Sequence, residues 1–196
     1  MKHFYIAVAC TKNGGIGKDG KIPWYLPPDL HYFKEMTTDT IDTSKKNAII
    51  MGKNTWNSLP KKPLRGRKNI VLTTTTNAKD IEDIVLQGAG SGAGAETESE
   101  VEVYKSLDDA INYLGNDETI EKIFVIGGGR LYEEAINHPL CKCIFATIIE
   151  NKTEFECDTF FPIEKMKSDT FYLYNERYGM LYKNICYSYV QYYKKF

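Results

Sequence analysis

One carboxylate lies where acid chemistry could occur. Asp29 follows two prolines and begins a segment in which Leu30 and Phe33 recur at helical spacing, with Trp24 just upstream. Aspartate at such a place is often a helix N-cap, which stabilises a helix by about 1 kcal/mol. A carboxylate among aromatic and aliphatic neighbours is also how enzymes hold a single acid or anchor a cationic ring. From the local sequence alone, the N-cap interpretation is favoured.

Two glycine-containing turns could bind phosphate. The apolar run 123–126 passes through the glycines at 127–129 into a helical segment, with Arg130 adjacent. Free N–H groups at a helix start favour a pyrophosphate, although a tight turn that needs glycine only for packing is the alternative. Gly52 and Lys53 repeat the strand-to-helix arrangement with a cation. A single lysine at a helix start is more often just solvated.

Cations beside a third strand add to the case for an anionic ligand. Arg65, Arg67 and Lys68 come just before the apolar run that begins at Asn69. Because open α/β sheets bind ligands outside the carboxyl ends of their strands, we expect these cations and the two turns to face a polyanionic small ligand there.

A third glycine motif does not fit a dinucleotide-binding fingerprint. Residues 15–20 match G-x-G-x-x-G after a strand, but three prolines follow between Pro23 and Pro28. Those prolines exclude the helix that the fingerprint requires. We expect instead a mobile loop that could close over a ligand.

Metal and nucleophile constellations cannot be identified in the sequence. The five cysteines are scattered, and Cys141 and Cys143 have no histidine or second cysteine pair at a zinc spacing. The three histidines have no recurrent spacing, and neither a Ser-His-Asp nor a Cys-His arrangement is apparent. We predict reduced, structural thiols and no metal.

The elements that must position these residues alternate between strands and helices. Strands are predicted at 5–10, 48–51, 69–72, 123–126, 144–149 and 187–193, and helices at 29–36, 53–59, 107–114 and 131–137. Runs that are apolar on consecutive residues indicate burial on both faces, as in a mostly parallel sheet flanked by helices. The order predicts an α/β fold, and the tyrosine-rich tail predicts appended antiparallel strands. One domain covering residues 1–196 is expected from the length.

Composition narrows the class of protein. The 25 Lys and Arg against 26 Asp and Glu give a net charge of -1, which argues against binding nucleic acid by neutralising many phosphates. No run approaches the roughly 18 apolar residues that a membrane span needs, and the first run is too short for a secretion signal. We therefore expect a cytoplasmic protein. The Gly- and Glu-rich residues 87–102 are predicted to form a flexible surface loop within the domain.

Motifs along the whole chain occur in the order found in one enzyme family. They include Pro23-Trp24, Leu26-Pro27-Pro28-Asp29, Met51-Gly52-Lys53-Asn54-Thr55, Pro63-Leu64-Arg65-Gly66-Arg67, Ile126-Gly127-Gly128-Gly129-Arg130 and Asp158-Thr159-Phe160-Phe161-Pro162. From the first strand to the tail, the chain resembles dihydrofolate reductase. The resemblance implies a central eight-stranded sheet and NADPH-dependent reduction of 7,8-dihydrofolate to tetrahydrofolate, by hydride transfer to C6 and protonation at N5. It also implies a monomer that binds a small-molecule substrate and antifolates such as methotrexate.

The resemblance implies a role for each site residue. Asp29 would bind the pteridine and promote protonation of N5, Trp24 would hold an ordered water near this acid, and Thr147 would hydrogen-bond to it. Arg67 would bind the α-carboxylate of the glutamate tail. The other substrate contacts would be Ala7, Val8, Leu30, Phe33, Leu59, Leu64, Ile126 and Tyr132. The cofactor contacts would be Ala9, Ile16, Gly17, Lys18, Asp19, Gly20, Gly52, Lys53, Asn54, Thr55, Leu72, Thr73, Thr74, Lys105, Ile126, Gly127, Gly128, Gly129, Arg130, Leu131 and Tyr132. In the family the Gly127–Gly128 bond is cis.

The chain also departs from the family. Residues 73–76 are threonines where many relatives place an arginine that holds the 2'-phosphate of NADPH. The hydroxyls, Lys53 and Lys105 would have to supply that contact, so we expect NADPH preference with a weaker hold on the 2'-phosphate. The loop at 87–102 has no catalytic counterpart.

Two other functions remain open. The pyrimidine reductase of riboflavin synthesis shares this fold and NADPH, but Asp29 in its Leu-Pro-Pro-Asp setting and Arg67 favour the folate reaction. A nucleotide-binding module without catalysis is disfavoured by retention of the acid, Trp24 and both glycine turns. Nothing within the 196 residues resembles thymidylate synthase, to which this enzyme is fused in some protists.

Overall fold

The computed structural model describes residues 2–75, 77–88, 101–150 and 155–195. Strands in this part of the chain are β1 (Phe4–Thr11), β2 (Gly15–Gly17), β3 (Lys46–Gly52), β4 (Arg67–Leu72), β5 (Val101–Tyr104), β6 (Ile120–Val125), β7 (Cys141–Ile149), β8 (Thr159–Phe160), β9 (Phe171–Tyr182) and β10 (Ile185–Lys194). The helices are α1 (Pro27–Thr38), α2 (Lys53–Ser58), α3 (Ala78–Gly88), α4 (Leu107–Asn116), α5 (Gly129–Asn137) and α6 (Ile163–Met166).

Eight of the strands form one sheet in the order β5-β4-β3-β6-β1-β7-β10-β9. The strands from β5 to β7 pair in parallel, and β10 pairs antiparallel with both β7 and β9. The short strands β2 and β8 form a separate antiparallel pair. The expected eight-stranded, mostly parallel sheet with an antiparallel C-terminal hairpin is confirmed.

Both faces of the sheet are covered, as the consecutive apolar runs predicted. On β6, Phe124 packs in a cluster with Met51 and Trp56, whereas its neighbour Val125 packs in a second cluster with Ile6. Successive side chains of a strand point to opposite faces, so an apolar pair such as this one requires a core on each side. Full burial of each such side chain stabilises the fold by roughly 2 kcal/mol.

The predicted strands and helices are all present, most of them with longer bounds, although α2 and β6 each end one residue earlier than predicted. The elements β2, α3, β5, β8 and α6 were not predicted. The predicted loop at 87–102 was wrong at both ends, because Gln87 and Gly88 end α3 while Val101 and Glu102 begin β5. Residues 89–100 of that prediction lie outside the described residues. Two sequence signals were overlooked: Ile81, Ile84 and Val85 recur at helical spacing in α3, and β5 alternates valine with a polar or aromatic residue.

The described residues contain neither a membrane-spanning helix nor a metal cluster. No helix in this part of the chain is long and apolar enough to cross a bilayer. No group of three or more His, Cys, Asp or Glu side chains comes together there as a metal site would require. The five cysteines are free thiols, of which Cys10, Cys141 and Cys143 are buried.

Candidate active site

Helix α1 places Asp29 at its third residue, three positions after the N-cap. The N-cap residue is Leu26, and the two prolines occupy the first helical positions, where their missing N–H groups cost nothing. The backbone N–H of Asp29 donates to the carbonyl oxygen of Leu26 at 3.0 Å. The N-cap interpretation of Asp29 was therefore wrong, and its side chain is available for another task.

The Asp29 carboxylate is buried against β7. Its exposed fraction is 9%, and Oδ1 accepts a hydrogen bond from the Thr147 hydroxyl at 2.5 Å. Burial raises the pKa of Asp29 to about 6, while the Thr147 hydrogen bond lowers it. A carboxyl with this pKa holds a proton over part of the neutral range, which suits a group that couples ligand binding to proton transfer.

Trp24 belongs to an apolar cluster beside the start of α1. It is 9% exposed and clusters with Leu26, Ile149 and Tyr187. Its ring lies 5.5 Å, between centroids, from that of Phe155. The cluster buries Trp24 and Leu26 next to the start of α1, while Tyr25 between them is exposed.

A cavity of about 380 Å³ opens along the apolar face of α1. It is lined by Leu30, Phe33, Lys34, Leu59, Pro60, Lys61, Leu64 and Arg67. The structure thus brings together five residues expected to bind substrate, in a space typical of small-molecule sites. Lys34, Pro60 and Lys61 were not predicted to line it. Lys34 lies one helical turn after Leu30, a spacing that could have identified it.

Arg67 is a buried cation at the wall of this cavity. It is 5% exposed, and its Nη1 donates to the Thr37 hydroxyl at 2.7 Å. The guanidinium carbon lies 5.8 Å from the Phe33 ring centroid. Burial lowers the pKa of Arg67 to about 10. Since no acidic side chain of the described residues forms an ion pair with it, Arg67 is ready to receive an anionic group from a ligand.

The prediction that Arg65, Arg67 and Lys68 face a ligand at the carboxyl ends of the strands was wrong. Arg67 and Lys68 begin β4, so they lie at its amino end. Side chains alternate along a strand, and Lys68 is buried away from Arg67 with its Nζ 2.9 Å from Glu102 and 3.3 Å from Asp117. Lys68 therefore has a structural role, and Arg65 is exposed.

The two glycine turns meet at the carboxyl ends of the neighbouring strands β3 and β6. The Gly52 N–H donates to the Gly127 carbonyl oxygen at 2.8 Å, and the Gly127–Gly128 bond is cis, as the family resemblance implied. A Cβ on Gly129 would lie 2.9 Å from the carbonyl oxygen of Phe160. The close approach of the backbone, rather than loop flexibility, explains why glycine is needed here.

The start of α5 is suited to an anion. Gly128 is its N-cap, and no side chain caps the helix. The first N–H groups of a helix have no partner within the helix, and its dipole favours negative charge there. One turn further, the Tyr132 hydroxyl donates to the Ala7 carbonyl oxygen at 2.8 Å, which joins α5 to β1. Ala7, Val8 and Ala9 lie on β1, between β6 and β7.

The family model described as dihydrofolate reductase matches residues 3–194. The chain belongs to the dihydrofolate reductase family. Membership implies a small-molecule substrate and a nicotinamide cofactor.

Relatives include both short and fused proteins. Dihydrofolate reductase of Heliothis virescens is 41% identical over 159 residues, covering 80% of this chain and 77% of that protein. The Drosophila melanogaster enzyme is 37% identical over 164 residues, covering 83% of this chain and 80% of that protein. Bifunctional dihydrofolate reductase-thymidylate synthase 2 of Arabidopsis thaliana is 43% identical over 166 residues, or 81% of this chain. The match covers only 26% of that plant protein's length.

Lys53, expected as a phosphate contact in the dihydrofolate reductase site, has a protein partner. Its Nζ lies 2.7 Å from Oδ2 of Asp80, which lies on the unpredicted helix α3. The ion pair with Lys53 holds the pKa of Asp80 below its usual range. Lys53 is therefore not simply solvated, and a phosphate would have to compete with Asp80.

The residues expected near the 2'-phosphate follow the carboxyl ends of the neighbouring strands β4 and β5. The Thr73 N–H donates to the Tyr104 carbonyl oxygen at 3.0 Å, and Leu72 pairs with Tyr104 in the sheet. Thr73, Thr74 and Lys105 thus follow adjacent strand ends. Their common role was expected from the family resemblance alone, because β5 was not predicted.

The glycine loop after β1 is held to the segment around β8. Gly15 and Gly17 of β2 pair with Phe160 and Thr159, and the Asp19 N–H donates to Asp158 at 2.8 Å. No helix begins at these glycines, in agreement with the sequence, and the next helix, α1, starts only at Pro27. Residues 17–20 therefore lie beside the same strand pair that approaches Gly129.

Proposed function

We propose that the protein reduces 7,8-dihydrofolate to 5,6,7,8-tetrahydrofolate with NADPH. One observation carries the proposal: helix α1 has a buried acid, Asp29, in its first turn and contacts the buried cation Arg67 through Thr37 near its end. Leu30 and Phe33, between these two points, line the cavity that Arg67 also lines. From Asp29 to Thr37, the Arg67 contact, the helix rises about 12 Å at 1.5 Å per residue. Such a site fits an elongated ligand with a protonatable ring at one end and a carboxylate at the other.

In this proposal, Asp29 binds the pteridine ring and promotes its protonation at N5. The Thr147 hydroxyl holds the carboxyl in place, and the Trp24 cluster limits access of bulk water. Because the pKa of Asp29 is raised to about 6, the acid responds to a ligand that brings a hydrogen-bond donor edge. Leu30, Phe33, Leu59 and Leu64 provide apolar walls, and Arg67 binds the terminal carboxylate.

The residues at the carboxyl ends of β3 and β6 fit a dinucleotide. The uncapped start of α5 and the glycines packed against Thr55 leave backbone N–H groups, rather than side chains, at the surface where a pyrophosphate would lie. Gly128, Gly129 and Arg130 would hold one phosphate group, and Asn54 and Thr55 another. When bound, the nicotinamide supplies the hydride. The residues of β1 and the loop at 17–20 would orient and cover its ring.

We further propose that NADPH is preferred over NADH, with a weaker hold than an arginine would give. Lys53 is already paired with Asp80, so Lys105, Thr73 and Thr74 would provide most of the contacts to the 2'-phosphate. A monomer acting in the cytoplasm, without a nucleic-acid partner, completes the proposal.

The experiment is a spectrophotometric assay of NADPH oxidation with dihydrofolate, run beside Asp29→Asn and a methotrexate control. We expect turnover that methotrexate stops and that Asp29→Asn strongly lowers. The loss should be smaller at acidic pH, where solvent can protonate the substrate. NADPH binding without turnover of dihydrofolate would contradict the proposal and direct the assay to the pyrimidine substrate of riboflavin synthesis. Tight methotrexate binding without any turnover would indicate a non-catalytic module.

A further inference from the structure

The strand beyond β7 places a tyrosine against the helical turn that carries Asp29. Tyr189 of β10 lies opposite Thr147 in the antiparallel register with β7. Its hydroxyl donates to the carbonyl oxygen of Pro28 at 3.3 Å. Since Pro28 immediately precedes Asp29, this hydrogen bond connects β10 to the first turn of α1.

The ring of Tyr189 makes a second contact with the same helix. Its centroid lies 4.1 Å from that of Tyr32, and the two planes are inclined by 33°. Tyr32 lies three residues after Asp29, so both are on neighbouring positions of one helical face. Tyr189 therefore contacts α1 just before and just after the acid.

We propose that Tyr189 is a positioning residue for Asp29: its hydroxyl and ring hold the first turn of α1 so that the Asp29 carboxylate meets the Thr147 hydroxyl. The inference rests on the proposed function, in which Asp29 is the acid of the site. The bond between Thr147 and Asp29 is 2.5 Å long, and hydrogen bonds weaken as distance and angle depart from their optimum. A small displacement of α1 from β7 would therefore weaken the hydrogen bond that the Asp29 carboxylate accepts.

The groups around Asp29 are hydroxyls. Thr147 of β7 donates to it, and the phenols of Tyr32 on α1, Tyr132 on α5 and Tyr189 on β10 lie within electrostatic range. Among the described residues, no Lys, Arg, His, Asp or Glu is one of the influences on its pKa, which are burial and the Thr147 bond. The geometry of that bond thus sets how far the charged form is stabilised.

The test is a direct titration of Asp29 by ¹³C NMR of the side-chain carboxyl, with Asp29→Asn to assign the resonance. Tyr189→Phe removes the hydroxyl and keeps the ring against Tyr32. If the turn loosens, the carboxylate loses part of its hydrogen bond, and the pKa of Asp29 should rise by about 0.3 to 1 unit. Tyr193→Phe is the matched control, because it removes a hydroxyl from the same strand away from Asp29, and it should leave that pKa unchanged.

A second pair of variants links the effect to the Thr147 bond. Thr147→Val should raise the pKa of Asp29 further, and adding Tyr189→Phe to it should cause no additional shift. In steady-state kinetics, Tyr189→Phe should shift the pH profile of turnover to higher pH by the same amount as the NMR-measured pKa of Asp29, and the KM for NADPH should be unchanged.

Two results would overturn the proposal. One is an unchanged Asp29 pKa in Tyr189→Phe, with or without a lower melting temperature, and the other is an equal shift in Tyr193→Phe. Because the NMR titration requires no turnover, failure of the proposed reductase activity would be seen separately in the NADPH assay.

Discussion

Replacing Asp29 by asparagine should make the protein more stable at neutral pH while it lowers activity. Burial raises the pKa of this acid from 3.8 to about 6. The folded state therefore binds the proton more tightly than the unfolded chain does. The stability associated with the neutral carboxyl is fully present below pH 3.8 and is lost as pH rises towards pH 6.

The magnitude follows from the size of the pKa shift. A shift of about 2 units corresponds to roughly 3 kcal/mol of lost stability above pH 6, at 1.36 kcal/mol per unit. The substituted asparagine would carry no such charge, and its amide oxygen can still accept from Thr147. Since its amide NH₂ also needs a partner, we expect Asp29→Asn to gain about 1 to 3 kcal/mol near pH 7.5.

The assay is urea unfolding of both proteins at about pH 7.5 and about pH 4.5, with the free energy of unfolding extrapolated to water. The advantage of Asp29→Asn should shrink by about 2 kcal/mol at the lower pH, because wild-type Asp29 is then mostly neutral when folded. Asp158→Asn is a control of opposite sign, since hydrogen bonds from Asp19 and Thr159 lower the pKa of Asp158. A stability difference for Asp29→Asn that does not change with pH would refute the reasoning.

Three further predictions concern ligand binding. Arg67→Leu should raise the KM for dihydrofolate about 10- to 100-fold, because it removes a charge-assisted hydrogen bond, and should change the KM for NADPH little. Arg65→Leu, at an exposed position, is the control. Equal losses for both ligands would indicate misfolding. Lys105→Gln should lower the ratio of kcat/KM for NADPH to kcat/KM for NADH several-fold, because an exposed charge contact contributes about 1 kcal/mol. An unchanged ratio would show that Lys105 does not contact the 2'-phosphate. Gly129→Ala should weaken NADPH binding in fluorescence titrations and lower the melting temperature, because its Cβ would lie 2.9 Å from a carbonyl oxygen. Gly115→Ala, whose nearest contact would be 3.7 Å away, should do neither.

The fold could be predicted best where burial is strongest. Strands such as β3 and β6 are apolar on consecutive residues, because both of their faces are covered, and this pattern appears in the sequence. The edge strand β5 is only half-buried and alternates, so its signal is weak. The Gly- and Glu-rich composition of residues 87–102 therefore led to the prediction of a loop, and both β5 and the end of α3 were missed.

The site could be predicted only in part from local sequence. Spacing identified the apolar face of α1 and the glycine turns, whereas the Asp29–Thr147 contact joins residues 118 positions apart and was expected from the family resemblance alone. The ion pair of Lys53 with Asp80 was missed because it depends on α3. For Lys68 the sequence was misleading, because its charge predicted a ligand contact. The alternation of side chains along β4 instead directs Lys68 to Glu102 and Asp117.

The long separation between Asp29 and Thr147 also has a consequence for refolding. Trp56 shares its cluster with Met51 and Val71, which are close to it in sequence, as well as with Ala7 and Phe124, which are not, so part of its environment can form from one short stretch of chain. The acid acquires its burial and its hydrogen bond only when α1 docks on β7, a step with a much larger loop-closure cost. During refolding, enzymatic turnover should therefore recover more slowly than Trp56 fluorescence.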